Sequence, residues 1–415
     1  MQQDYSNLTE YAANNIAQLK CELEKHFLGL YGSSTEPIQF YSAPARINII
    51  GEHIDYNGGK VFPAAINKYI FLAIRKRPDT IINYDDIRFP GKFTFNITDN
   101  FSYKKENDYC NYLNGIITIL KDKGFALTTG FDALFFSCIP DGGGVSSSSA
   151  LECCFIAAMN GLYNCNLTPV ENALIGQETE HRFMNVQCGI MDQFIIATGK
   201  KEAAVLLDCA TLDYEYVPLH LGDYRFLVMN TNKKRQLSDS KYNERVAECK
   251  EGLSLLNKAL ESKGMATVPN PCAMTDEHLD ILKEAGASDV IFRRMRHCLT
   301  ENRRVYKAAE ALKAGNLEEL GKLMNQSHES LQTDYETTGI ELDTLHIEAN
   351  KIKGCLGARV TGAGFGGCGI ALLHKDCIKD FIQTVGKAYK EKIGYEATFF
   401  ECSTGNGAGP LKEDN

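Results

Sequence analysis

The sequence predicts an α+β fold in two domains, and three observations predict it. The chain has 415 residues, enough for a core that divides in two. Short apolar runs of strand character alternate with stretches whose apolar residues recur at helical spacing. Glycine-rich turns lie between the two kinds of segment, the most pronounced being PDGGGVSSSSALE at residues 140–152.

That turn organises the rest. Gly142, Gly143 and Gly144 leave backbone N–H groups able to approach a ligand closely, and such a turn can cradle an anion. Ser149 and Glu152 have the Ser-x-x-Glu spacing of a capping box at a helix start. A helix N-terminus facing a glycine loop is a phosphate site by geometry and dipole together. The competing reading is a flexible linker. Against it, the loop is short and lies between an apolar strand, 131–139, and a helix with Leu151, Cys154, Phe155, Ala158 and Leu162 on its apolar face.

In chain order, residues 8–27 predict one packing helix, with Ala12, Ile16, Leu19, Leu23 and Phe27 on one side. After a Gly/Ser break at 32–34, a strand-like run leads into SAPARINIIGEHIDYNGGKVFP, residues 42–63. There Arg46, Glu52, His53 and Asp55 crowd around a turn next to apolar Ile49 and Ile50. Charges gathered at the end of a buried strand suggest a site, and a solvated turn with an internal ion pair is the alternative. Strands are expected at 69–74 and 93–97, and a helix from 109 with Tyr112, Ile116 and Leu120 on one side. Residues 176–194 begin as a helix carrying Glu180 and break around Gly189, with Asp192 just past the break.

Strands follow near 203–207 and 225–229. The next helix sets Tyr242, Val246, Cys249, Leu253, Leu256 and Leu260 at helical spacing, which makes Tyr242 ordinary core. Residues 288–353 are helical with breaks at Gly315 and Gly339, and Arg293, Arg294 and Arg296 read as solvated surface or lobe contacts. CLGARVTGAGFGGCGIALL, 355–373, reads as strand, glycine loop, strand. A helix at 376–392 and a strand at 396–402 complete the pattern, and the tail after Ser403 is expected to fray.

Composition narrows the function. The start lacks a basic segment followed by an apolar run, and no stretch approaches bilayer length, so a soluble, cytoplasmic protein is expected. Fifteen cysteines, an odd number at irregular spacings, read as reduced thiols, and without a Cys-x-x-Cys pair no zinc site is expected. A net charge of −9 argues against a nucleic-acid surface. Gly362, Gly364 and Gly367 match G-x-G-x-x-G, but residues 368–373 read as a strand where a dinucleotide fold needs a helix. These glycines more simply let one lobe's backbone approach the other lobe or a ligand. No glycine is followed by Lys and then Ser or Thr, so there is no Walker A loop.

Taken jointly, ARINIIGEHIDYNGG, DGGGVSSSSALE, CGIMDQF, SDSKYNER and TGAGFGG resemble the galactokinase family of the GHMP small-molecule kinase superfamily. The match runs from about residue 38 to about residue 402. It implies a two-lobed GHMP kinase fold, with a ribosomal-protein-S5-domain-2-like N-terminal lobe (1–220), a ferredoxin-like C-terminal lobe (221–415) and the active site between them. It further implies a monomeric enzyme that uses ATP and Mg²⁺ to phosphorylate the anomeric hydroxyl of α-D-galactose, the first committed step of galactose catabolism.

At matching positions the resemblance gives Arg46 and Asp192 catalytic roles, beside the moving phosphoryl group and the anomeric hydroxyl. Glu52, His53, Asp55, Gly189 and Tyr242 fall where the family holds galactose. Gly142, Gly143, Gly144, Val145, Ser146, Ser147 and Ser148 match the ATP loop, and Ser148 and Glu180 the magnesium ligands. Four positions depart from the pattern: Ala45 for glycine, Ile54 for threonine, Ser149 for alanine, and Tyr109 for a tryptophan near the adenine in a chain without tryptophan. Two rivals stand beside this reading: a 1-kinase for a related sugar such as N-acetylgalactosamine, and a non-catalytic galactose/ATP sensor. The intact serine loop, Arg46 and Asp192 speak against the sensor.

Overall fold

The computed structural model describes residues 5–89, 91–140, 144–233 and 238–412. Helices α1 (Ser6–Asn14) and α2 (Ile16–Tyr31) precede strands β1 (Gln39–Asn48), β2 (Lys60–Val61), β3 (Pro63–Lys76), β4 (Ile81–Asp86) and β5 (Phe93–Asn96). Next come α3 (Cys110–Asp122), β6 (Phe131–Ser137), α4 (Ser147–Tyr163), α5 (Pro169–Arg182) and α6 (Met191–Thr198). Strands β7 (Ala203–Asp208), β8 (Tyr214–Pro218) and β9 (Tyr224–Asn230) lead to α7 (Ser238–Ser262), α8 (Asp276–Glu284), α9 (Asp289–Lys313), α10 (Leu317–Ser330) and α11 (Gly339–Ala349). The chain closes with β10 (Cys355–Thr361), β11 (Cys368–His374), α12 (Ile378–Ile393), β12 (Thr398–Cys402) and β13 (Gly409–Pro410).

The first sheet has the order β13-β1-β3-β6-β4-β5. Alternation along β6 shows how its two faces are used. Phe131, Ala133 and Phe135 share a core with Phe155 of α4, whereas Leu134 and Phe136 meet Leu19, Leu23 and Phe27 of α2. A second, antiparallel sheet runs β10-β11-β9-β12. Leu227 and Met229 of β9 pack with Phe381 and Val385 of α12, while Phe226 and Val228 face the same core as Leu320 and Met324 of α10. That core is continuous with the one under the first sheet, so the two halves meet over a shared apolar seam. A small third sheet, β2-β7-β8, flanks it. Among the described residues, no helix is long and apolar enough to cross a membrane.

Four expectations need correction. The first helix is two, because Asn15 leaves helical geometry and its side chain accepts from the Gln18 N–H at 3.0 Å, capping α2. The last helix begins at Ile378, after a 3₁₀ turn over Lys375–Cys377. Arg294 is no surface residue: it is 2% exposed and bonds Glu248 and Glu336 at 2.7 Å each. The tail does not fray after Ser403 but returns to the first sheet, where β13 pairs with β1. Gly407 N–H there donates to Gly199 O at 2.8 Å, and Leu411 N–H to Phe40 O at 2.8 Å.

Candidate active site

A cavity of about 1000 Å³ opens where the turn after β1, the start of α4, the α5–α6 junction, Tyr242 of α7 and the β10–β11 loop converge. On its wall Arg46, on β1, meets Asp192, in the first turn of α6. Nε and Nη2 donate to the two carboxylate oxygens at 2.7 Å each, and Nη1 donates to Gly144 O at 3.0 Å. Such a two-pronged pair fixes both side chains in orientation as well as distance. Arg46 is 3% exposed, whereas Asp192 keeps 29% of its side chain open to the cavity. The Ser146 hydroxyl donates to Asp192 Oδ2 at 2.5 Å.

Ser146 also explains where α4 begins. It lies in the left-handed region, φ 64°, and cannot start a helix, so the helix opens at Ser147. This corrects the capping box: Ser149 is already inside the first turn and Ser146 makes no side-chain cap. Glu152 turns into the interior instead, fully buried, where Gln193 Nε2 donates to its Oε2 at 3.1 Å. Burial pushes its pKa well above the usual carboxylate range, and the neighbouring Glu180 adds to the rise. Ser147, Ser148 and Glu180 line the cavity beside this helix start. Gly142 and Gly143 lie outside the described residues, and Gly144, Val145 and Ser146 form the described part of the loop.

Asp55, Gly189 and Tyr242 define the other end, together with Glu52 and His53. Burial, with the Asp192 charge adding, pushes Asp55 up to about 6 against main-chain N–H groups of Tyr56 and Met191. Tyr242 leaves the core stripe expected of it and lines the cavity, its ring 5.3 Å from Tyr56 and 5.5 Å from His53.

His53 and Glu52 are engaged across the seam. His53 Nε2 lies 3.1 Å from Ala363 O, which can only accept, so Nε2 carries the proton and Nδ1 accepts from the Tyr56 hydroxyl at 2.9 Å. Burial pushes this imidazole down to about 3. Glu52 accepts from Gly362 N–H at 2.9 Å and pairs with Arg359; burial nevertheless pushes it up to about 7. The glycine loop expected to bring one lobe's backbone against the other does so: a Cβ on Gly362 would lie 2.9 Å from Gly144 O and 3.1 Å from Arg46 Nη2.

Sequence reasoning missed Arg359, Tyr56 and Tyr335. The one signal for Arg359 was a lone charge in the apolar run of β10, where it is 1% exposed and also donates to Asn48 O and Ile49 O. Tyr335 hydrogen-bonds Tyr56 at 2.9 Å and belongs to a helical turn whose spacing looks like packing. Of the departing positions, Ile54 is fully buried, close beside Gly59, and Tyr109 packs edge-on against Phe93 and Phe135 and lines the cavity.

A glycine-serine loop feeding a helix and an Arg–Asp pair between two lobes define a small-molecule kinase of the GHMP class. The GHMP kinase N-terminal and C-terminal domains match residues 111–200 and 308–391, and the galactokinase galactose-binding signature matches 25–76. The chain is 46% identical over 387 residues to a galactokinase of Clostridium perfringens, covering 93% of this chain and 98% of that one, and 44% identical to one of Enterococcus faecalis, covering 94% and 99%. A crystal structure of Lactococcus lactis galactokinase complexed with galactose superposes with a TM-score of 0.88 at 39% identity, covering 95% of this chain and all of that one. A mevalonate kinase of Methanococcus jannaschii, at 21% identity and TM-score 0.63, shares the fold. The chain belongs to the galactokinase family, and is a phosphotransferase with an alcohol group as acceptor.

Proposed function

We propose that the chain transfers the γ-phosphoryl group of ATP to the anomeric hydroxyl of α-D-galactose, giving galactose 1-phosphate and ADP. The observation that carries this is the Arg46–Asp192 pair, set between a polar pocket with Asp55, Gly189 and Tyr242 and the loop that opens α4. The sugar O1 attacks the γ-phosphorus as its bond to the bridging oxygen of ADP breaks, and the hydroxyl proton leaves toward Asp192 or solvent. Asp192 Oδ1 accepts only from Arg46 Nε among the described residues, so a lone pair remains to align the sugar hydroxyl. Arg46 offsets negative charge on the moving group. Backbone N–H groups of residues 142–148 hold the phosphates, and Glu52 and His53, which line the cavity with Asp55, Gly189 and Tyr242, complete the sugar pocket.

Ser148 and Glu180 would hold Mg²⁺. Oxygen donors suit that ion, and the negative charge of Glu180, close enough to help keep the buried Glu152 carboxyl protonated, is one that a divalent cation would offset. When bound, Mg²⁺ neutralises charge on the outer phosphate oxygens. We draw the lobe division near residue 220, where β8 of the third sheet gives way to β9 of the second, and assign the enzyme to the cytoplasm, where its fifteen free thiols stay reduced.

A panel of free sugars with Mg-ATP, scored by ADP formation, tests the reading. Galactose is expected to lead. Preference for N-acetylgalactosamine would move the assignment to that sugar, and binding without ADP formation would make the chain a sensor.

A further inference from the structure

Residues 183–190, between α5 and α6, form neither helix nor strand, so their backbone groups need partners elsewhere. Val186 N–H donates to Glu180 O at 2.9 Å, and Gln187 N–H reaches Asn243 Oδ1 on α7 at 3.3 Å. The Cys188 carbonyl accepts twice, from His181 Nε2 at 2.8 Å and Gln177 Nε2 at 3.3 Å. These two residues stand four apart on one face of α5, and a carbonyl oxygen cannot donate, so the His181 proton is on Nε2.

Cys188 and Gly189 line the cavity, whereas Gln177 and His181 do not. The Cys188–Gly189 peptide is trans, and in a planar trans peptide the C=O and N–H vectors point in opposite directions. With the carbonyl held toward α5, the Gly189 N–H points away from α5, on a residue that itself lines the cavity. Gly189 is buried, and no described residue accepts that N–H. A buried main-chain donor without a partner is rare in folded proteins, and one facing a cavity is satisfied by what enters it. The Asp55 carboxylate lies directly against the same glycine. Donor and acceptor side by side match one hydroxyl, which gives a proton to Asp55 and takes a hydrogen bond from Gly189.

We propose that Gln177 and His181 are positioning residues for the sugar: they clamp the Cys188 carbonyl so that the Gly189 N–H is presented, beside Asp55, to a substrate hydroxyl. This deepens the proposed function and rests on it. The clamp lies outside the groups that touch substrate, so its loss acts on sugar affinity and leaves the nucleotide end alone.

The test measures galactose affinity by calorimetry, and KM for each substrate, in the full-length parent and in His181→Ala, Gln177→Ala, the double variant and His181→Gln. Each lost donor is expected to raise galactose Kd and KM roughly three- to tenfold, and the double variant more. KM for ATP and the magnesium requirement should stay within about twofold. His181→Gln, which keeps an N–H donor, should recover most of the affinity. A double variant that binds galactose like the parent overturns the proposal, as does a parallel rise in KM for both substrates, which would mark a general loss of structure. The parent's own galactose affinity reads the proposed function separately: its absence would overturn that reading and this one with it, whereas parental affinity in the double variant overturns only the clamp.

Discussion

A Cβ built on Gly189 would stand 1.9 Å from Oδ2 of Asp55. The glycine is needed for space, since its backbone is not left-handed. Gly189→Ala must move either the carboxylate or the loop, and both serve the same end of the cavity. Loss of one charged hydrogen bond predicts a rise in galactose KM of roughly 10- to 100-fold with KM for ATP unchanged. Steady-state kinetics with each substrate varied in turn checks it, and a parental galactose KM would remove Gly189 from the sugar site.

Asp192→Ala is expected to reduce turnover by roughly 10²-fold or more. It also leaves Arg46 buried without its carboxylate, so its melting temperature should fall. Asp192→Asn keeps the shape and should lose turnover with a smaller loss of stability. Near-normal kcat in either variant would exclude the residue from the reaction.

Glu180→Gln should raise the magnesium requirement more than the galactose KM, because Glu180 lines the cavity close to Glu152 of α4 and is assigned to the cation rather than the sugar. A magnesium titration that overlays the parent's would count against its role as ligand.

Asp55 makes stability depend on pH. Below its ordinary value of 3.8 the carboxyl is protonated folded and unfolded alike. Between there and about 6 the unfolded chain gives up its proton while the fold retains it, so stability falls as pH rises through that window and levels off above it. The full difference is about 3 kcal/mol, from two pKa units at about 1.4 each. Chemical denaturation of the parent against Asp55→Asn, from pH 4 to 7.5, should therefore show the parent losing ground up to about pH 6. A constant difference would mean that Asp55 is not desolvated.

Truncation after Ser403 should destabilise the first sheet. It removes the Thr404 bridge to Ile66, the β13 pairing with Tyr41 and Ser42, and main-chain bonds from Gly405, Gly407, Ala408 and Leu411. At roughly 1 kcal/mol net per bond, several kcal/mol and a clear drop in melting temperature are expected. An unchanged melting curve would return the tail to the solvent.

The helices and strands were legible wherever apolar residues run together or recur at helical spacing, as in β6 and α4, because burial pattern is written locally. The tail was not: Gly409 and Pro410 pair with β1 through main-chain groups, which leave no trace in side-chain pattern. Tyr242 sat at core spacing, and its exposure to the cavity came only from the family resemblance.

What the amino-acid order determined alone is the class: the glycine-serine loop, the charged turn after β1 and the third glycine motif each carry their chemistry within a few residues. What only the tertiary structure decided is which side chains meet. Arg46 and Asp192 are 146 positions apart and Glu52 pairs with Arg359 from the other lobe. Such contacts depend on the path of the whole chain over a shared core, and no local periodicity encodes that path.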